Sequence, residues 1–275
     1  MNLRTLGTRT LVALILGPLI IFMMLYGRLP FLCLVVIITV ISEYEFFKII
    51  KAKGFEGQEI TAILAAIALL CVLYYFSVEK VWIVLSIFLI VVLITELYRS
   101  KANVIANLSS TVFAVCYLSF LFGHLILIRE LPKAVNIPYA YAGRWIVMMF
   151  LVTWACDTAA YILGSAWGRH KLMKKISPNK TIEGTLAGFV VALLSALVCH
   201  FWFIKGISVF DSLVIGAICG SVGQYGDLVE SMIKRNVGVK DTSTIIPGHG
   251  GMMDRFDSPL LSAPIIYLFL RFVTF

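Results

Sequence analysis

The chain alternates between long apolar runs and short polar interruptions. Nine runs, at 10–26, 29–50, 60–78, 81–97, 104–128, 145–167, 184–204, 209–233 and 256–275, are built mainly from Leu, Ile, Val, Phe and Ala. Each approaches or exceeds the roughly 20 residues that a helix needs to cross a bilayer. Hydrocarbon offers no water to backbone N–H and C=O groups, so a spanning segment bonds internally as a helix. A β-barrel would instead show alternating segments of about ten residues, and the sequence has none. The pattern therefore predicts an all-α fold, a polytopic transmembrane helical bundle with about nine spans.

Composition supports a membrane chain. Hydrophobic residues make up 60% of 275 positions and charged residues only 14%, more apolar surface than a soluble core absorbs. Arg4 and Arg9 precede the first run, but it is long for a signal peptide and no small-residue cleavage site follows. It reads as a first span that stays. The six cysteines sit singly in apolar runs, without CxxC pairs or zinc spacing, and read as small buried hydrophobes.

The net charge of +8 is expected to face anionic headgroups rather than nucleic acid. With the N-terminus cytoplasmic, sixteen of the 23 Lys and Arg fall on the inner side. This bias places loops 169–181 and 234–255 in the cytoplasm. Residues 1–130 then form an N-terminal region of about five spans. Residues 144–275 form a C-terminal catalytic region of about four. The longest outer loop, 129–144, is too short to fold alone, and no separate soluble domain is expected. No internal repeat is evident.

The chemistry gathers late in the chain. Acidic residues inside spans are costly and usually functional. Asp227, Glu230, Ser231 and Lys234 fall at i, i+3, i+4 and i+7 and share one helix face. Gly220, Gly223 and Gly226 precede them at the spacing of a close helix contact. Asp254 and Asp257 form a second i, i+3 pair at the start of the last run. Carboxylates without His or Cys nearby suit a hard cation such as Mg²⁺. Lys234, Arg235, Lys240 and Arg255 surround them, as a metal-bound polyphosphate requires.

The turn Pro247-Gly248-His249-Gly250-Gly251 offers backbone N–H groups beside a helix start, a plausible anion cradle. Each feature alone has a bland reading, as a salt bridge or a plain turn. Their conjunction within about thirty residues gives the argument its weight. His249 reads first as a hydrogen-bond donor to phosphate, ahead of a general acid or a turn residue. Asp157 and Tyr161 lie at i, i+4 inside the sixth run. Ser177-Pro178-Asn179-Lys180-Thr181 presents a lysine and hydroxyls just before a helix, which suits phosphate or nucleotide contact. Arg169, Lys174 and Lys175 read more simply as positive-inside charge. Glu43 and Glu45 are unexplained by apolar packing and could line the same cavity.

Residues 231–257 read SMIKRNVGVKDTSTIIPGHGGMMDRFD. This stretch closely resembles the signature of phosphatidate cytidylyltransferases, also called CDP-diacylglycerol synthases. The match rests on Ser231, Lys234-Arg235, Lys240-Asp241, Pro247, His249-Gly250-Gly251, Asp254-Arg255 and Asp257, all at the expected spacing. Ser177–Thr181 and Gly226-Asp227 also look like family features. Asn179 departs from the glycine found in many members. The resemblance is strong over about the last 120 residues, and earlier spans match only in character.

The resemblance implies an enzyme of phospholipid biosynthesis that joins CTP to phosphatidic acid. Its products are CDP-diacylglycerol and pyrophosphate, and it requires Mg²⁺, with a second cation allowed. Asp227 and Asp254 are assigned as metal ligands, with Asp257 as a third or for a second cation. Lys234, Arg235, Lys240 and Arg255 hold phosphates. Lys180, Ser177 and Thr181 contact one substrate, and Asp241 orients a lysine or meets the nucleotide. Ser231, His249, Gly250, Gly251 and Asp157 complete the substrate site.

Compact size and the lack of targeting extensions point to a bacterial inner (plasma) membrane, with the active site facing the cytoplasm. The apolar helix faces suit membrane lipids or a second copy, so a homodimer stays open. Alternative readings are a related transferase acting on another lipid phosphate and an anion transporter. The transporter usually shows repeat symmetry, which is missing here.

Overall fold

The computed structural model describes residues 3–243, 245 and 250–275, without the side chains of 3–13 and 15. Its described residues form helices α1 (Leu3–Tyr26), α2 (Arg28–Lys51), α3 (Glu59–Phe76), α4 (Val81–Arg99), α5 (Val104–Val135), α6 (Ala140–Trp167), α7 (Ile182–Trp202), α8 (Val209–Val237) and α9 (Met253–Thr274). Eight of them, α2 to α9, are long and apolar enough to cross a membrane. The expected first span lies within α1, of which Leu16–Tyr26 is described as an apolar helix. The protein is an integral membrane protein with the expected helical architecture.

Two expectations at the borders change. The predicted outer loop 129–144 is mostly helix: α5 runs on to Val135 and α6 begins at Ala140. The polar residues that suggested a loop are engaged. Arg129 is fully buried and donates from Nε to Met24 O, from Nη2 to Leu25 O and from Nη1 to Tyr139 O, each at 2.9 Å. It satisfies carbonyls that the end of α1 leaves open. Glu130 pairs with Lys133 one turn on and accepts from the Tyr139 hydroxyl at 2.5 Å. Loop 169–181 is likewise not featureless. Strands β1 (Lys171–Met173) and β2 (Ser177–Thr181) form an antiparallel hairpin, pairing Lys171 with Thr181 and Met173 with Ser177. Thr181 ends the hairpin and caps α7, its hydroxyl accepting from Gly184 N at 3.2 Å.

The chain divides into two compact units. One holds Met1–Met23, Gly27–Leu127 and Asn236–Arg255; the other holds Met24–Tyr26, Ile128–Arg235 and Phe256–Phe275. In the first, α3, α4 and α5 meet at a buried polar network. Glu96 accepts from Gln58 Nε2 at 2.8 Å, from Asn107 Nδ2 at 3.1 Å and from Arg99 Nη1 at 2.7 Å. A buried intramembrane carboxylate is tolerable because its oxygens are bonded.

In the second unit, α6, α7 and α8 pack through small residues. A Cβ on Gly220 of α8 would come within 2.8 Å of Ala192 Cβ on α7. Gly220 itself lies in a π-helical turn of α8, Cys219–Gly223. A second π-helical turn, Val115–Phe120, interrupts α5.

Candidate active site

The second unit assembles most of the predicted residues. α8 supplies Asp227, Glu230, Ser231 and Lys234, and β2 supplies Lys180. Lys180 Nζ lies 2.7 Å from Asp227 Oδ2, both side chains part-exposed. The Ser231 hydroxyl donates to Asp227 Oδ1 at 3.2 Å, so both carboxylate oxygens are engaged. Asp157 on α6 and Asp257 on α9 both feel the Asp227 charge, and Asp157 also feels Lys180. Three helices therefore bring three aspartates together, and the strand sets Lys180 beside two of them, Asp227 and Asp157.

Below them Glu230 is buried, 3.2 Å from Lys234 Nζ and beside the Asp257 side chain. Arg235 is exposed and donates from Nε to Ile176 O at 3.3 Å, tying the end of α8 to the hairpin turn. Ser177 is held in the hairpin ladder, and Thr181 is buried at the cap of α7.

α9 reaches this cluster because Gly226 lets it. A Cβ at 226 would strike the Asp257 carbonyl oxygen and come within 3.1 Å of Ser258 Cα. The glycine triplet read from the sequence thus has a specific use at its last member.

The first unit holds the signature loop. Asp254 Oδ2 accepts from Thr242 N at 3.1 Å, from Thr242 Oγ1 at 2.9 Å and from Gly251 N at 2.9 Å. Asp254 organises its own turn as well as standing at the start of α9. Gly250 has φ +89°, a left-handed value that glycine adopts without strain. Lys240, Asp241 and Arg255 are exposed. Pro247, Gly248 and His249 lie outside the described residues.

Oxygen donors dominate both clusters, and among the described residues no group of three His, Cys, Asp or Glu side chains is drawn close enough to hold a metal ion. The donor set nevertheless fits a hard cation. In the second unit the carboxylates of Asp157, Asp227, Glu230 and Asp257 outnumber the two lysines among them, and oxygen donors of this kind suit such an ion.

The family model described as the cytidylyltransferase family matches residues 7–273. The chain belongs to the cytidylyltransferase family. A phosphatidate cytidylyltransferase of Bacillus subtilis is 32% identical over 267 residues, covering 95% of this chain and 96% of that protein. Those of Staphylococcus haemolyticus and Staphylococcus saprophyticus are each 40% identical over 168 residues. That stretch is 59% of this chain and spans 65% of the length of each staphylococcal protein.

Two carboxylates of this cytidylyltransferase take places that the sequence left open. Glu43 is buried in α2, where its Oε1 accepts from the Ser119 hydroxyl at 2.5 Å, on the π-helical turn of α5. Glu45, also buried, bonds to the signature loop instead. Glu96 and the Arg129 cap were not anticipated. Apart from Arg99, one turn beyond Glu96 on α4, their partners lie on other elements.

Proposed function

We propose that this cytidylyltransferase transfers the cytidylyl group of CTP to phosphatidic acid, forming CDP-diacylglycerol and pyrophosphate. The observation that carries the reading is the Lys180–Asp227 pair with Asp157 and Asp257 beside it. It gives a family member an acidic, oxygen-rich site with a cation at its edge. Relatives named phosphatidate cytidylyltransferase supply the substrate class.

By the assignment read from the sequence, Asp227 and Asp254 would hold Mg²⁺, with Asp257 as a third ligand or for a second cation. The ion, with room for a second cation, supplies charge neutralisation to the phosphates. The chain's own residues position the two substrates. Lys180, Lys234, Arg235, Lys240 and Arg255 offset phosphate charge, and the turn at Gly250 offers its backbone N–H group. A phosphatidate oxygen attacks the α-phosphorus of CTP. The new P–O bond forms as the bond to the β-phosphate oxygen breaks, and pyrophosphate leaves with its electron pair. The attacking phosphate is already ionised near neutral pH, so orientation and charge stabilisation do the work.

The lipid headgroup lies at the membrane surface and CTP is soluble. The site therefore faces the cytoplasm of a bacterial inner membrane, consistent with the Lys and Arg bias. A homodimer would bury apolar helix faces that otherwise meet lipid. The test is pyrophosphate release by the purified protein given labelled CTP, Mg²⁺ and phosphatidate. Release that depends on phosphatidate supports the reading. Release only with a polyprenyl phosphate would assign another lipid, and none with any lipid phosphate would refute a cytidylyl transfer.

A further inference from the structure

The proposed reaction gives no task to Glu45, a fully buried carboxylate. Glu45 lies on α2, about 200 positions before the signature loop, and is 0% exposed. Taking a carboxylate out of water costs several kcal/mol unless its lone pairs are filled. Glu45 fills them entirely from that loop. Oε1 accepts from Met252 N at 2.9 Å and from the Ser243 hydroxyl at 2.5 Å. Oε2 accepts from Met253 N at 2.9 Å and lies 3.1 Å from the Thr242 hydroxyl. Two of these donors are the amides that open α9, where a negative charge is favoured by the helix dipole.

The same Thr242 hydroxyl lies 2.9 Å from Asp254 Oδ2. It has one hydrogen to give, so it donates to one of these two carboxylates at a time while touching both. Asp254 also accepts from Thr242 N and Gly251 N. The backbone around Asp254 is therefore tied on one side by Asp254 and on the other by Glu45. Gly251 shows how tight this is. A Cβ there would collide with the Thr242 hydroxyl and come within 2.7 Å of Glu45 Oε2 and 2.9 Å of Oε1. Glu43, two residues earlier on the same helix, serves a different partner, Ser119.

We propose that Glu45 is a positioning residue for cytidylyl transfer: it locks the Thr242–Ser243 and Gly251–Met253 segments so that Asp254 is presented in one orientation. The inference rests on the reaction proposed above. It assigns the N-terminal half a part in chemistry beyond anchoring. Glutamine is nearly isosteric, but its NH₂ would face two donors where an oxygen now accepts. Glu45→Gln therefore removes half the pattern while keeping the volume.

The test uses the full chain in lipid nanodiscs and compares wild type, Glu45→Gln and Glu96→Gln, the last losing a buried carboxylate from the α3–α5 network. In Glu45→Gln, kcat should fall about 30- to 100-fold while KM for phosphatidate stays within about twofold. The Mg²⁺ concentration giving half-maximal rate should rise about tenfold. Without Mg²⁺ or substrate, hydrogen exchange at the Met252 and Met253 amides should quicken about tenfold or more. Glu96→Gln should lower the melting temperature yet leave the Mg²⁺ requirement and those two amides unchanged.

A Glu45→Gln protein with wild-type kcat and Mg²⁺ requirement, or one altered only in melting temperature, overturns the proposal. If Glu45→Gln does not fold, Ser243→Ala removes one donor and leaves Glu45 in place. It should lower kcat several-fold and quicken the same amides, and no change in either overturns the proposal equally. An inactive wild type would sink the cytidylyl-transfer reading instead, while the exchange rates still decide whether Glu45 holds the loop.

Discussion

Lys180 and Asp227 lie on different elements and meet at 2.7 Å, a pairing that assigns each a testable share of the reaction. Asp227→Asn keeps the shape and removes the charge. Turnover should drop about 10³-fold, equivalent to roughly 4 kcal/mol of transition-state stabilisation, with the melting temperature little changed. Lys180→Met removes the cation but leaves the carboxylates, and kcat/KM should fall about 10- to 100-fold in the same pyrophosphate assay. Sequence reasoning named Asp227 as an acid inside an apolar run and Lys180 as a cation among hydroxyls just before a helix. It left their contact open, because nothing local links a strand before α7 to the C-terminal part of α8. The same reason hid Glu45. Its residue type was conspicuous, but its four donors lie about 200 positions away.

At the scale of elements, the packing of α8 on α9 turns on Gly226. Gly226→Ala places a methyl against the Asp257 carbonyl. Overpacking of this kind costs roughly 1–3 kcal/mol and shifts backbone. A lower melting temperature should therefore accompany a loss of activity, because Asp257 moves with its carbonyl. Arg129 makes an element-scale prediction of a purely structural kind. Arg129→Met leaves the carbonyls of Met24, Leu25 and Tyr139 without their donor, a destabilisation of roughly 3 kcal/mol or more, read from thermal unfolding in detergent. The helices were legible from apolar run length alone. The hairpin was not, since Ser-Pro-Asn-Lys-Thr has loop composition and becomes a strand only by pairing with Lys171–Met173. The helical stretch after Ile128 was misread for the opposite reason: its charges are neutralised by contacts rather than by water.

For the whole molecule, the orientation proposed from the Lys and Arg distribution is one that chemistry can check. In a cysteine-free background, Lys175→Cys should react with an impermeant maleimide only from the cytoplasmic side, and Lys80→Cys only from the opposite side. Labelling of both from one side would overturn the assigned topology. Chelation belongs to this scale too. EDTA should abolish pyrophosphate release, and added Mg²⁺ should restore it, without unfolding helices whose stability rests on lipid and packing. The family was legible because the twelve signature positions are close in sequence. The N-terminal half carries no such motif, and its contribution emerges only where α2 meets the loop at Glu45.

The hairpin before α7 sets a rule for length variation. Side chains along a strand alternate between its faces, so Lys180 and Thr181 point opposite ways, one toward Asp227 and one into the cap of α7. An extra residue beside Lys174 and Lys175 lengthens the exposed tip of the turn, ahead of Ile176, which Arg235 holds. The same residue inserted between Ser177 and Lys180 exchanges the two faces, turning the cation away and breaking the cap in a single event. Natural insertions in this segment should therefore collect at the tip and be absent from the strand.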